Sequence, residues 1–358
     1  MKQRIIGFDL ARAYAIFGMF IVNFNMVFGS YKDQTTIGNF LSLFNGNSST
    51  VFVILAGMGV ALMTNRSVYS IEEKVKLKII ILKRALFLFI AGLLLNFIWP
   101  ADILHFYGCY MFISAFLIFQ NKRIFLWLAA LSILIFHSLV FIIPFETGWN
   151  IEKFQYEDLY TINGFVRNTF YNGWNSIFPW ISYFFLGMFL GRLDWTQLKI
   201  QRKMFLIGLF LYSMVNIFQL FFQHASISAE LREFMYADYL PPFLPFILST
   251  FGFGLMLISA FMYVGNKIGE SQLAKSFALT GQMTLTHYVS HVTIGMILFS
   301  MMEGKNLTNN NTDLQPTKPI YILLFSIIYF VVSYYLSKLW AKKFKNGPLE
   351  MLMRKISS

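Results

Sequence analysis

Asp102 and His105 stand three residues apart in NFIWPADILHFYG, a spacing that sets both on one face of a helix. A carboxylate so placed can orient an imidazole and raise its basicity, as a general base requires. It can also simply cap the helix, because Pro100 breaks the chain just upstream and an N-terminal Asp is worth roughly 0.5–2 kcal/mol as a cap. A second pair, His287 and His291 in GQMTLTHYVSH, is four residues apart and shares its face with Thr284 and Tyr288. That spacing suits a metal, but no Glu or Asp adjoins the pair, and no metal is expected. The readings left open are a hydrogen-bonded polar seam between helices and the wall of a hydrated substrate tunnel. The third group is Asp9 and Arg12 in FDLARAYAIFGMFIVNFN, with Asn23 and Asn25 towards the far end of the same apolar run. Spacing alone fits an intrahelical ion pair with a snorkelling arginine.

The elements that must position these groups are hydrophobic. Of the 358 residues, 57% are hydrophobic and 13% charged, against roughly 45–50% and about 25% in soluble domains. This predicts an all-α, polytopic membrane helix bundle. About ten spans can be drawn, at roughly 9–29, 48–64, 79–98, 104–120, 124–143, 176–191, 204–222, 241–264, 277–301 and 320–340. His287 and His291 then fall roughly 15–21 Å into the ninth, near mid-membrane. Ionisable groups at such depth are costly and mark function by default. The opening segment MKQRIIGFDLARAYAIF reads as the first span rather than a cleaved signal peptide.

The net charge of +12 is topological. Of the Lys and Arg residues, only Lys32, Lys153, Arg167, Arg232, Lys305 and Lys318 fall in loops of one face; the rest share the other. By the positive-inside rule both termini are cytoplasmic. The charge suits membrane lipids with anionic headgroups and needs no nucleic acid. The single Cys109 excludes an intrachain disulfide. One transmembrane domain over 1–358 is expected, with an aromatic-rich extracytoplasmic loop or interfacial helix at 144–175 and a polar outer segment at 303–319.

Four stretches carry a family resemblance. RIIGFDLARAYAIFGMFIVNF resembles an opening Asp-x-x-Arg-Gly motif followed by an apolar run ending Val-Asn. DILHFYG resembles Asp-Ile-Leu-x-x-Tyr, GQMTLTHYVSH resembles Gly-Arg-Met-x-Leu-Thr-Asn-Tyr-x-x-Gln, and GPLEMLMR resembles Gly-Pro-Leu-Glu-x-x-x-Arg. In this order, from residue 4 to 354, they resemble the bacterial DUF418/YeiB-like membrane proteins. These are relatives of the heparan-α-glucosaminide N-acetyltransferase group of the transmembrane acyltransferase superfamily. The sequence departs from the pattern at Ala13, Gln282, His287 and His291. The acetyltransferase group also has a catalytic histidine in its first non-cytoplasmic loop, and SYKDQTTIGNFLSLFNGNSST has none.

The resemblance implies transfer of an acyl group, acetyl first of all, from cytoplasmic acyl-CoA to an extracytoplasmic hydroxyl or amine on a sugar, amino sugar or lipid headgroup. It implies a bacterial cytoplasmic membrane, and leaves a homo-oligomer open. Arg12, Lys83 and Arg84 are the candidates for the CoA phosphates. His105 oriented by Asp102 is the candidate base, with His291 and His287 sharing proton transfer. Asp9, Asn23, Asn45, Tyr107, Thr284 and Tyr288 are the candidate tunnel lining, Asn23 and Asn45 also as oxyanion donors. A transporter or flippase would use mid-membrane histidines too. A non-catalytic accessory protein would tolerate the missing loop histidine.

Overall fold

A computed structural model describes residues 5–30, 33–66, 68–150, 155–223, 227–304 and 315–358. The charge assignments of Lys2, Arg4, Lys32, Lys153 and Lys305, and most of the polar segment 303–319, lie outside the described residues. In chain order the helices are α1 (Ile6–Phe28), α2 (Thr36–Ser42), α3 (Asn47–Met63), α4 (Ile71–Asn96), α5 (Leu104–Ala115) and α6 (Lys122–Val140). A two-stranded hairpin, Trp149–Asn150 with Gln155–Tyr156, is followed by α7 (Ile162–Arg167), α8 (Ile177–Leu190), α9 (Leu198–Gln223) and α10 (Ala229–Met235). Then come α11 (Leu244–Ile268), α12 (Gln272–Gln282), α13 (Thr284–Ser290), α14 (Met296–Glu303), α15 (Pro319–Trp340) and α16 (Pro348–Ser357).

Among the described residues, 8 helical stretches are long and apolar enough to cross a membrane, which makes the chain an integral membrane protein. Each overlaps one of the expected spans, eight of them in all. The spans expected at 104–120 and 176–191 appear as α5 and α8, of 12 and 14 residues, against about 20 for a full crossing. Exposed Leu206, Phe210, Ile217, Leu220 and Phe221 on α9 fit a lipid-facing surface.

Two expectations need correcting. The expected spans leave a first loop as far as residue 47, yet α2 already starts at Thr36. Thr35 caps it by accepting from the Gly38 N–H at 3.1 Å, the helix ends at Ser42, and Gly46, with a φ of +71°, closes the turn that leads into α3. The expected ninth span, 277–301, is not one helix. Instead α12 ends at Met283, with φ −115° and ψ 30°, and a π-helical turn at His291–Gly295 separates α13 from α14. Near the break Gly281 lies against the Asp9 carbonyl of α1, an approach that leaves no room for a Cβ. His287 therefore lies in the first turn of its own short helix, not ten residues into a long one.

The described residues gather into two compact units. The first takes in 1–52, 195–205 and 256–352. Its core is aromatic: Phe24 meets Phe325 at 4.9 Å between centroids, Phe20 meets Tyr329 edge-on at 5.0 Å, and Phe299 stacks on Phe325 at 4.5 Å.

The second unit takes in 53–194, 206–255 and 353–358. Ser70 and Glu73 form a capping box that starts α4. α4 and α5 then pack backbone to backbone, with Gly108 against the Ala85 carbonyl and Gly92 against the backbone of His105. The described part of the 144–175 loop is ordered by the buried Asn172. Its amide donates to the Phe145 and Thr147 carbonyls at 2.6 and 2.8 Å, and it accepts from the Tyr156 hydroxyl at 2.7 Å.

Candidate functional site

At the start of α5, one oxygen of Asp102 receives two donors. The His105 backbone N–H and the His105 imidazole Nδ1 each lie 3.1 Å from Oδ2. Capping and orientation, alternatives on spacing alone, are thus both performed by one carboxylate. A carboxylate only accepts, so Nδ1 carries the proton and Nε2 presents its lone pair. Nε2 has no hydrogen-bond partner among the described residues. Asp102 and His105 are both buried, at 0% and 3% exposure, so the pair is shielded from bulk water. Gly92 makes the arrangement fit, because a Cβ there would run into the Asp102 carboxylate and the His105 backbone. Buried Tyr107 follows on the same helix, its ring 5.9 Å from Tyr110.

In the first unit the two other candidate histidines, His287 and His291, are tied into the helix packing. His291 Nδ1 lies 3.3 Å from the His287 carbonyl and so must donate to it. Its Nε2 then accepts from the Asn23 amide of α1 at 2.8 Å. The ring is wholly buried between Phe20, at 5.0 Å, and Tyr288, at 5.2 Å, while Tyr288 itself stacks on Phe52. His287 Nε2 lies 2.7 Å from the Ser337 hydroxyl of α15. That hydroxyl already donates to the Ser333 carbonyl at 2.8 Å, so it accepts here and His287 donates. Ser290 and the Tyr329 hydroxyl, 2.5 Å apart, add a second link to α15. Half-buried Thr284 opens α13.

Asp9 is buried and lies 3.4 Å from Arg12, with the Gln282 amide donating to its other oxygen at 3.2 Å. Gln282 thus occupies a position where an arginine would form an ion pair. Asn45 is half-buried, and its carbonyl oxygen has no partner among the described residues. Lys83 and Arg84, the expected phosphate contacts, each make one hydrogen bond to residues 357–358. Lys83 donates to the Ser358 carbonyl at 3.0 Å and Arg84 to the Ser357 hydroxyl at 3.2 Å.

Sequence reasoning gave no role to Glu350, although its motif was visible. One carboxylate oxygen accepts from the backbone N–H groups of Leu285 and Thr286 at 2.8 and 3.2 Å, the other from the Thr286 hydroxyl at 2.6 Å. The Leu349 N–H returns a bond to that hydroxyl at 3.1 Å. Glu350 is therefore the cap of the restarted helix α13, delivered from the far end of the chain. Gly92 was also missed; its signal is a glycine in an otherwise bulky apolar helix. Among the described residues no group of three His, Cys, Asp or Glu side chains converges as metal ligands would.

Two families match the chain. The one described as heparan-alpha-glucosaminide N-acetyltransferase, catalytic, matches residues 4–225, a stretch containing Asp102 and His105. The one described as a protein of unknown function, DUF418, matches residues 189–358 and contains His287, His291 and Glu350. No curated protein matches.

Proposed function

From the premise that the chain belongs to the heparan-α-glucosaminide N-acetyltransferase catalytic family, we propose that it is a transmembrane acyltransferase. It takes an acyl group, acetyl in the first instance, from acyl-CoA on the cytoplasmic face. It passes the group to a hydroxyl or amine on the opposite face, carried by a sugar, an amino sugar or a lipid headgroup. Both termini lie in the cytoplasm, on the charge asymmetry of the loops.

The observation that carries this reading is the Asp102–His105 pair. Nε2 takes the acceptor's proton as its oxygen or nitrogen attacks the thioester carbonyl. The tetrahedral intermediate collapses, the carbon–sulfur bond breaks, and the imidazolium returns its proton to the departing CoA thiolate. Asp102 stabilises the imidazolium between these steps, and burial of the pair strengthens that interaction. The pair stands in for the first-loop histidine that the sequence lacks.

The test is acyl transfer by purified protein in lipid nanodiscs, supplied with radiolabelled acetyl-CoA and a panel of amino sugars, sugars and phospholipids. Transfer to one acceptor class, lost in His105→Ala with the fold intact, is the expected result. Full transfer by that variant overturns the role of His105. Failure of every acceptor with protein that binds acetyl-CoA overturns the transferase reading.

A further inference from the structure

At the opposite end of α5 from His105, the chain forms a polar pocket of about 350 Å³. Arg66, Lys74 and Arg192 supply its charge, and Tyr69 and Phe119 supply two rings packed edge to face at 5.4 Å. The cations are unevenly matched. Arg66 is paired with Glu73 at 3.0 Å. Lys74 has no carboxylate partner among the described residues and lies 5.7 Å from the Phe119 ring centre. Arg192 is the unusual one. It sits over the Phe125 ring at 4.5 Å and donates to the Met188 and Ile118 carbonyls, with no carboxylate within ion-pair reach among the described residues. Burial lowers its pKa from the ordinary arginine value. A partly buried guanidinium held in place by carbonyls and left without a counter-anion is an arrangement that an incoming anion completes.

We infer that this pocket binds the phosphate groups of a nucleotide, with Arg192 and Lys74 as the phosphate contacts and Tyr69 and Phe119 beside the base. On the transferase reading, on which this rests, the nucleotide is the adenosine end of the acyl-CoA donor. The geometry of α5 supports that identification. Its 12 residues extend about 18 Å. The pocket residues Ile118, Phe119 and Gln120 follow one end, and His105 stands in the first turn of the other. A long arm such as the pantetheine of CoA is what connects a phosphate site to a reacting thioester over such a distance. This places donor recognition at Arg192 and Lys74, not at Lys83 and Arg84, which the last residues of the chain occupy.

The experiment is equilibrium binding to the full-length protein in nanodiscs of zwitterionic lipid, using acetyl-CoA, ADP and inorganic phosphate, repeated in nanodiscs containing anionic phospholipid. The variants are Lys74→Gln, whose exposed side chain has no structural partner beyond one ring, Arg192→Gln, and Lys83→Gln as the control. The inference expects acetyl-CoA and ADP to compete, with affinity at least tenfold weaker in Lys74→Gln and Arg192→Gln and unchanged in Lys83→Gln. Unaltered acetyl-CoA affinity in Lys74→Gln and Arg192→Gln overturns the site and leaves the transferase reading standing. Suppression by anionic lipid, with no ADP binding in its absence, assigns the pocket to a lipid headgroup and also overturns it. Nucleotide binding that the variants abolish, in a protein that acylates no acceptor, retains the site and removes the transferase reading.

Discussion

His105 and His291 are both buried, and both donate from Nδ1 to an oxygen. What differs is the kind of oxygen and the fate of the other nitrogen. His105 donates to a carboxylate, which stabilises the charged imidazolium as well as fixing the tautomer. Its Nε2 is left over. His291 donates to a backbone carbonyl, which fixes the tautomer without matching a full charge, and its Nε2 is taken by Asn23. Burial and a hydrogen bond make a histidine ordered; only an available far nitrogen makes it a base. The division follows the family matches, since His105 lies in the acetyltransferase segment and His291 outside it.

The largest test of this contrast is a pair of alanine variants. His105→Ala is expected to lower acyl transfer by about 10²–10⁴-fold, the range that a general base contributes. His291→Ala is expected to leave turnover within a few-fold while lowering the thermal midpoint, because it removes a packing link and not a proton acceptor. Turnover measured beside thermal unfolding separates the two. If His291→Ala stops turnover in folded protein, or His105→Ala leaves it untouched, the contrast is broken.

A matched pair of glycine substitutions asks the same question of the backbone. In Gly92→Ala the new methyl meets the Asp102 carboxylate and the His105 backbone. A displacement of about 1 Å at a reacting group can cost about 10²-fold, so activity is expected to fall by roughly that much. In Gly281→Ala the methyl meets the Asp9 carbonyl where α12 packs on α1, so the expected loss is in stability. The check is kcat per folded molecule. Equal loss of kcat in both variants would remove the distinction between a catalytic region and a scaffold region.

How much of this was legible in the sequence follows from the range of each interaction. Spans, the Asp102–His105 pair and the two later histidines could all be read, because hydropathy and spacing of three or four residues are local properties. The restart of the helix at Thr284 could not, because its cap comes from Glu350, whose distance along the chain hides any periodic signal. The same holds for His291, where tunnel wall and seam were equally compatible with the residues. The partner of its Nε2, Asn23, is 268 residues away along the chain, beyond the reach of any local pattern. The expected phosphate contacts Lys83 and Arg84 were correctly seen as basic residues at a helix, but charge alone does not say which anion or carbonyl they meet.

Glu350 sharpens the scaffold side. Glu350→Ala leaves the partly buried N–H groups of Leu285 and Thr286 without their acceptor; a fully buried group so stranded costs about 1–3 kcal/mol, which sets the upper end of the expected loss. A clear drop in thermal midpoint is expected, with Glu350→Gln intermediate because its single carbonyl oxygen can still accept. Donor affinity at the Arg192 pocket is expected to stay the same in both. A thermal midpoint equal to that of the unsubstituted protein would mean that α13 is held by packing alone.

The smallest expected effect probes His291 most directly. Cross-helix hydrogen bonds in membranes are worth about 0.6 kcal/mol on average and about 1.7 at most, because the alternatives within the bilayer also find partners. A double-mutant cycle of Asn23→Ala and His291→Ala, read by unfolding free energy, is therefore expected to give a coupling in that range. A coupling of this size means that Asn23 holds Nε2 in the resting protein, so that its release would have to precede any proton transfer there. No coupling would free Nε2, put His291 on the same footing as His105, and favour the tunnel-wall reading over the seam. A value well above the range would mean that Asn23 and His291 belong to a larger network. Its nearest further member is His287, whose carbonyl receives the Nδ1 proton and whose own ring is held by Ser337.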